Sequence, residues 1–155
     1  MGGTIVQHII VHKLIYGVGI NDKSIKVSYN GKLIKEYMLW MDMLKRCYSP
    51  KSLINSPTYY GCTVSENFKH FTYFYNWCQN QIGFNQNWQL DKDILQRDNK
   101  IYHENLCIFV PQKINLLFVK SSKIRGIYPI GVYLHKPGKY SAGCTMDGKH
   151  IYLGL

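Results

Sequence analysis

The stretch Leu90 to Asn115, LDKDILQRDNKIYHENLCIFVPQKIN, constrains the fold more than any other part of the chain. It reads as strand, loop, strand and helix in 26 consecutive residues. Polar side chains suited to a hard cation fall at Asp91, Asp93, Asn99, His103, Asn105 and Asn115.

The 155 residues fit one ordinary domain, or a small core domain with an appendage. At 46% hydrophobic and 14% aromatic the chain can bury a core, which excludes a disordered or collagen-like polymer. Apolar runs such as Ile5 to Val11 and Cys107 to Val110 are too short to span a bilayer, so no membrane association is expected. The N-terminus has no early basic region and no small-residue cleavage site, which argues against a secretory signal. The five cysteines are spread out with no CxxC pair, so zinc is not expected, and reduced, buried thiols point to the cytoplasm. The net charge of +10 attracts polyanions, of which nucleic acid is the commonest in a cytosol. From Lys113 onward there are seven Lys/Arg and one acid, Asp147. Carboxylates instead gather at Asp91, Asp93 and Asp98.

Residues 1–13 are read as an N-terminal arm, 14–119 as the core domain and 124–155 as a small β-meander. Residues 14–33 look β-rich: Ile25, Val27 and Tyr29 alternate with polar residues before Asn30-Gly31, a hairpin signal. A helix is expected over 37–48, with Tyr37, Trp40, Met41, Leu44 and Tyr48 on one face and Ser49-Pro50 as its stop. A loop should follow over 51–61. Ser65 should cap a helix running to about Gln81, whose aromatic residues suit a core better than a base-stacking platform, with Gly83 ending it. Residues 120–125 read as a basic linker. Three strands are expected at 128–134, 139–145 and 149–153, turning at Pro137-Gly138 and Asp147-Gly148.

The strand-loop-strand-helix segment resembles the ββα core of bacteriophage HNH endonucleases. More narrowly, the chain resembles the branch that carries a C-terminal AP2 domain, over roughly residues 14–155. The resemblance is carried by Tyr16 to Asp22, Trp40 with Met43 to Tyr48, Pro57-Thr58-Tyr59 with Gly61-Cys62, Leu90 to Asp93, Asn99-Lys100 with Tyr102, and Cys107 to Pro111 with Asn115. Gly131 to Tyr133, Gly138 to Ala142 and Tyr152 to Gly154 are similar to AP2 strands. The implied fold is α+β: an HNH-like core with flanking helices and a three-stranded antiparallel sheet. The implied activity is metal-dependent phosphodiester hydrolysis of double-stranded DNA inside a phage-infected cell. Asp91 and Asp93 would bind Mg²⁺ or Mn²⁺, Asn105 would orient the base and Asn115 would complete the metal shell. A basic surface around these acids would hold phosphates, with contacts from Lys113, Lys120, Lys123, Arg125, Tyr133, His135, Lys136, Lys139 and Lys149.

Two departures from the family pattern open alternatives. Lys92 stands where the family has its catalytic histidine, and a lysine is a poor general base. The alternatives are His103 as substitute base or as an exposed loop residue, and Asp91 with Asp93 as a metal site sufficient alone or as partners of basic neighbours. The AP2-like part also stops after its third strand, leaving one sheet face to be covered. The competing reading is a binding protein that kept the scaffold and lost the base, acting on host DNA transactions or on a host defence protein.

Overall fold

Residues 13–118, 127–129, 131–146 and 148–154 are described by the structure, a computed structural model. The expected arm (residues 1–12) and the basic stretch holding Lys120, Lys123 and Arg125 lie outside them. The chain divides into a unit ending at Leu117 and a second beginning at Phe118. The fold is mixed α and β, with several small sheets.

Asn30 and Gly31 both take positive φ, 49° and 75°, as a two-residue hairpin turn demands. They join β1 (Ser28–Tyr29) to β2 (Lys32–Leu33), with Tyr29 opposite Lys32. Residues 14–33 were expected to be β-rich; before the hairpin they contain only isolated bridges, from Ile15 to Gly19 and from Ile20 to His70.

Helix α1 (Lys35–Tyr48) buries Trp40, Met43, Leu44 and Cys47, spaced i, i+3, i+4, i+7. The expected face is therefore rotated toward Met43 and Cys47, leaving Tyr37, Met41 and Tyr48 at the core margin. Trp40 Nε1 donates to the Phe68 carbonyl at 2.7 Å, so the indole is buried with its polar atom satisfied. Ser49-Pro50 ends α1 as expected, but it also starts α2 (Pro50–Asn55), where a loop was expected. The Ser49 hydroxyl accepts from the Ser52 amide, and proline suits a first helical position because its missing N–H would have no partner there. A 3₁₀ turn at Pro57–Tyr59 and β3 (Thr63–Val64) follow.

Ser65 caps the next helix through the Phe68 amide at 3.2 Å. The single helix expected to Gln81 is instead two, α3 (Glu66–Lys69) and α4 (Phe71–Gln79). The break lies at His70, which is extended. There Ile20 donates to the Lys69 carbonyl at 2.8 Å and accepts from the Phe71 amide at 2.9 Å, replacing helical bonds with a strand-like exchange. Phe68, Phe71, Phe74 and Cys78 are fully buried, so these aromatics form the core as expected. Asn80 caps α4, three residues before Gly83. Gly83 has φ +85°, and a Cβ there would lie 2.1 Å from the Trp88 ring.

Strand β4 (Gln89–Asp91), β5 (Ile101–Tyr102) and β6 (Ile108–Val110) complete the first unit with α5 (Gln112–Phe118). β5 runs parallel to β3, and β4 pairs antiparallel with β6, Leu90 opposite Phe109. In the second unit β7 (Val132–Lys136), β8 (Lys139–Met146) and β9 (Lys149–Gly154) form the expected antiparallel meander in the order 7-8-9.

Candidate functional site

Residues 89–118 build strand, loop, antiparallel strand and helix from contiguous sequence. Gln89 and Asp91 are two apart on β4 and so point to one side of it. Asn115 of α5 donates from Nδ2 to Gln89 Oε1 at 2.8 Å. The strand side bearing Asp91 is thus the side that meets Asn115. Asp91 Oδ1 accepts from the amides of Asp93 and Ile94 at 2.7 and 2.8 Å, a turn in which the carboxylate starts the loop. Asp91 Oδ2 and Asn115 Oδ1 accept no hydrogen bond from the described residues. These two oxygens suit a hard cation that keeps several of its waters. Asp93 is placed differently: its Oδ1 lies 2.6 Å from Lys92 Nζ. Among the described residues no three His, Cys, Asp or Glu side chains converge as a metal cluster.

Lys92, between Asp91 and Asp93, is 7% exposed. Its ammonium donates to the Asn99 carbonyl at 2.6 Å as well as to Asp93. Asn99 reciprocates: its Nδ2 donates to the carbonyls of Lys92 and Ile101, and its Oδ1 accepts from the Ile101 amide. Lys92 and Asn99 therefore clasp the two ends of the loop and hand the chain to β5 in register. The burial around this clasp pushes the thiols of Cys47 and Cys107 up to about 12. All five cysteines are unpaired, and all except Cys144 are buried.

His103 is about one-third exposed, and its Nδ1 accepts from the Asn105 amide at 3.1 Å. The same Nδ1 lies 3.5 Å from Glu104 Oε2, so this nitrogen is engaged within its own loop. The Asn105 side chain is on an exposed residue. Beside them Glu104, not singled out by the sequence, accepts from Ser65 Oγ at 2.8 Å and from Asn67 Nδ2 at 2.5 Å. Burial alone would raise its carboxyl; the hydrogen bonds from its own amide, Asn67 and Ser65, with His103 nearby, outweigh this and hold it below the ordinary range. Its backbone carbonyl accepts from Trp77 Nε1 at 3.1 Å, so this residue ties the loop to α3 and α4.

In the second unit Tyr133, His135, Lys136, Lys139 and Lys149 are all exposed. Register pairs Tyr133 with Ser141, Gly143 with Tyr152 and Thr145 with His150, so these share one face. Tyr133 and His150 meet across the middle strand, hydroxyl to Nε2 at 3.3 Å. Gly143 makes this meeting sterically feasible, since a Cβ there would lie 2.8 Å from the His150 ring. Lys149 lies opposite Met146 and belongs to the other face, with Leu134, Tyr140 and Ile151. His135 sits at the β-bulge between Leu134 and Lys136. Lys113 is exposed on α5. His150 and Tyr152 were missed, although the alternation of Lys149 to Leu153 carried the signal.

No protein-family model, curated protein or solved structure matches the chain. Among the described residues no helix is long and apolar enough to cross a membrane.

Proposed function

We propose that this chain is a DNA-binding protein on a scaffold resembling the phage HNH/AP2 endonucleases, and that its ββα segment is a structural mount instead of a hydrolytic centre. The burial of Lys92 carries this reading. The residue at the base position is 7% exposed, and two of its three ammonium N–H groups are spent on the loop, so it is a buried cation and not a base for water. His103 has its Nδ1 taken up by the Asn105 amide, beside Glu104. Support for DNA comes from the second unit, where exposed Tyr133 and Tyr152 share a face with Lys136 and Lys139, and where residues 132–154 hold three lysines and one acid.

One observation favours a second reading, metal-dependent hydrolysis. Gln89, Asp91 and Asn115 share one side of the motif, and two of their oxygens remain to hold Mg²⁺. The cation would supply Lewis-acid activation of water and the phosphodiester. The Asp91 carboxylate and the Asn115 amide would orient it, and the Lys92–Asn99 clasp would keep β4 in place.

Plasmid nicking with Mg²⁺, Mn²⁺ or EDTA, run beside a gel-shift on the same samples, decides between them. The mount reading expects DNA binding with no metal-dependent nicking, in wild type and Asp91→Ala alike. Nicking that needs metal and disappears in Asp91→Ala overturns it in favour of hydrolysis. Neither nicking nor binding overturns both.

A further inference from the structure

We infer that the second unit's sheet binds single-stranded DNA by stacking, without reading its sequence; this rests on the DNA-binding reading above and departs from the duplex expected of an AP2-like sheet.

The aromatic side chains come first. Tyr133, His150 and Tyr152 lie on one face, around a middle-strand glycine that has no side chain to cover them. Tyr133 is 40% and Tyr152 55% exposed. Isolated exposed tyrosines need no explanation, but these two share a face with His150, whose ring lies over Gly143 and 6.3 Å from that of Tyr133. A base can lie on such exposed rings only if it is not already stacked and paired in a duplex.

The second observation is what the sheet lacks. Residues 132–154 contain no Arg, Asn, Gln or Glu. Arg or Lys to guanine and Asn or Gln to adenine are the two-pronged contacts by which a sheet or helix reads duplex bases in the major groove, and of these the sheet offers only lysine. Ser141 is the polar partner of Tyr133 on this face, but it is almost wholly buried. Thr145 is left as the short hydroxyl, too little to specify a duplex sequence.

Charge placement agrees. Lys136 and Lys139 pair beside the β7–β8 turn on the face that carries the rings, so cations stand at one end of the strip, while Lys149 lies on the other face. Phosphates of a strand crossing the face meet this lysine pair while its bases lie on the rings. That division, phosphates to lysine and bases to aromatics, is what sequence-tolerant single-strand binding requires.

The test is fluorescence anisotropy of labelled dT20, rU20 and a mixed-sequence 20-base-pair duplex with the full chain. The variants are Tyr152→Ala, Tyr152→Phe and Lys51→Ala. Expected are dT20 affinity at least ~10-fold above the duplex, a loss of roughly 5- to 150-fold in Tyr152→Ala, and near wild-type affinity in Tyr152→Phe, which keeps the ring. Lys51→Ala, which removes an exposed lysine of the first unit, should change the dT20 to duplex ratio by less than twofold. Duplex binding as tight as dT20, or Tyr152→Ala binding dT20 like wild type, overturns the inference while DNA binding itself stands. Tighter binding to rU20 than to dT20 overturns the choice of DNA. Failure to bind all three overturns this inference and the DNA-binding reading together.

Discussion

Replacing Lys92 with alanine separates a structural lysine from a chemical one. The change deletes three buried methylenes, each worth about 0.8 kcal/mol. It strips the Asn99 carbonyl of its donor, which costs about 1–3 kcal/mol for a buried group. The pair with half-exposed Asp93 adds at most about 1 kcal/mol. Against these stands the relief of desolvating a buried ammonium, which amounts to several kcal/mol. The opposing effects leave a net loss of about 2 kcal/mol. Lys92→Met keeps most of the apolar stem and enjoys the same relief, so it should lie within about 1 kcal/mol of wild type. All three tryptophans, Trp40, Trp77 and Trp88, are in the first unit, so their fluorescence reports its unfolding selectively. With a urea slope of about 2 kcal/mol per molar, Lys92→Ala should lower the midpoint by about 1 M. A Lys92→Ala midpoint equal to wild type, or Lys92→Met weaker than Lys92→Ala, would refute the clasp.

Three further outcomes are expected. Gly83→Ala should destabilise the first unit by about 2–4 kcal/mol, because alanine is strained at φ +85° and its methyl meets Trp88; the same fluorescence melt checks it. Glu104 has a folded pKa below its ordinary 4.5, so its contribution is present above that value and is lost as pH falls through the folded one; Glu104→Gln should flatten the stability profile below about pH 4.5 while wild type keeps its slope. In a thiol titration of native protein Cys144 should react first, with Cys47, Cys62, Cys78 and Cys107 reacting only after denaturant is added, since burial covers all four and pushes Cys47 and Cys107 up to about 12.

What could be read from sequence was what short-range chemistry decides. Asn30-Gly31, the Ser65 cap, the strand-loop-strand-helix of 89–118 and the meander each depend on neighbours a few residues apart. The break at His70 depends on Ile20, fifty residues earlier, and no local pattern announces it. Ser49-Pro50 reads as a stop because proline ends helices; the same pair also supplies a cap and a first residue, so stop and start coincide. The α1 stripe was misplaced because Tyr37, Met41 and Tyr48 are apolar enough to fill a helical face, and tertiary packing chose Met43 and Cys47 instead. At the candidate site, Asp91 and Asn115 were legible from spacing. The fate of Lys92 was not: a lysine beside two aspartates reads as solvent-exposed until the Asn99 carbonyl, seven residues on, is seen to receive it. Nor was the Tyr133–His150 contact, which needs two registers and a glycine between them.

DNA binding is tested most directly by measuring affinity for labelled DNA across a salt series with the full chain. If Lys136 and Lys139 meet phosphates, the logarithm of affinity for a single strand should fall against the logarithm of salt with a slope of roughly −1.4 or steeper, at about 0.7 per phosphate. A flat dependence, or no binding at low salt, would contradict the proposal that this chain works on DNA.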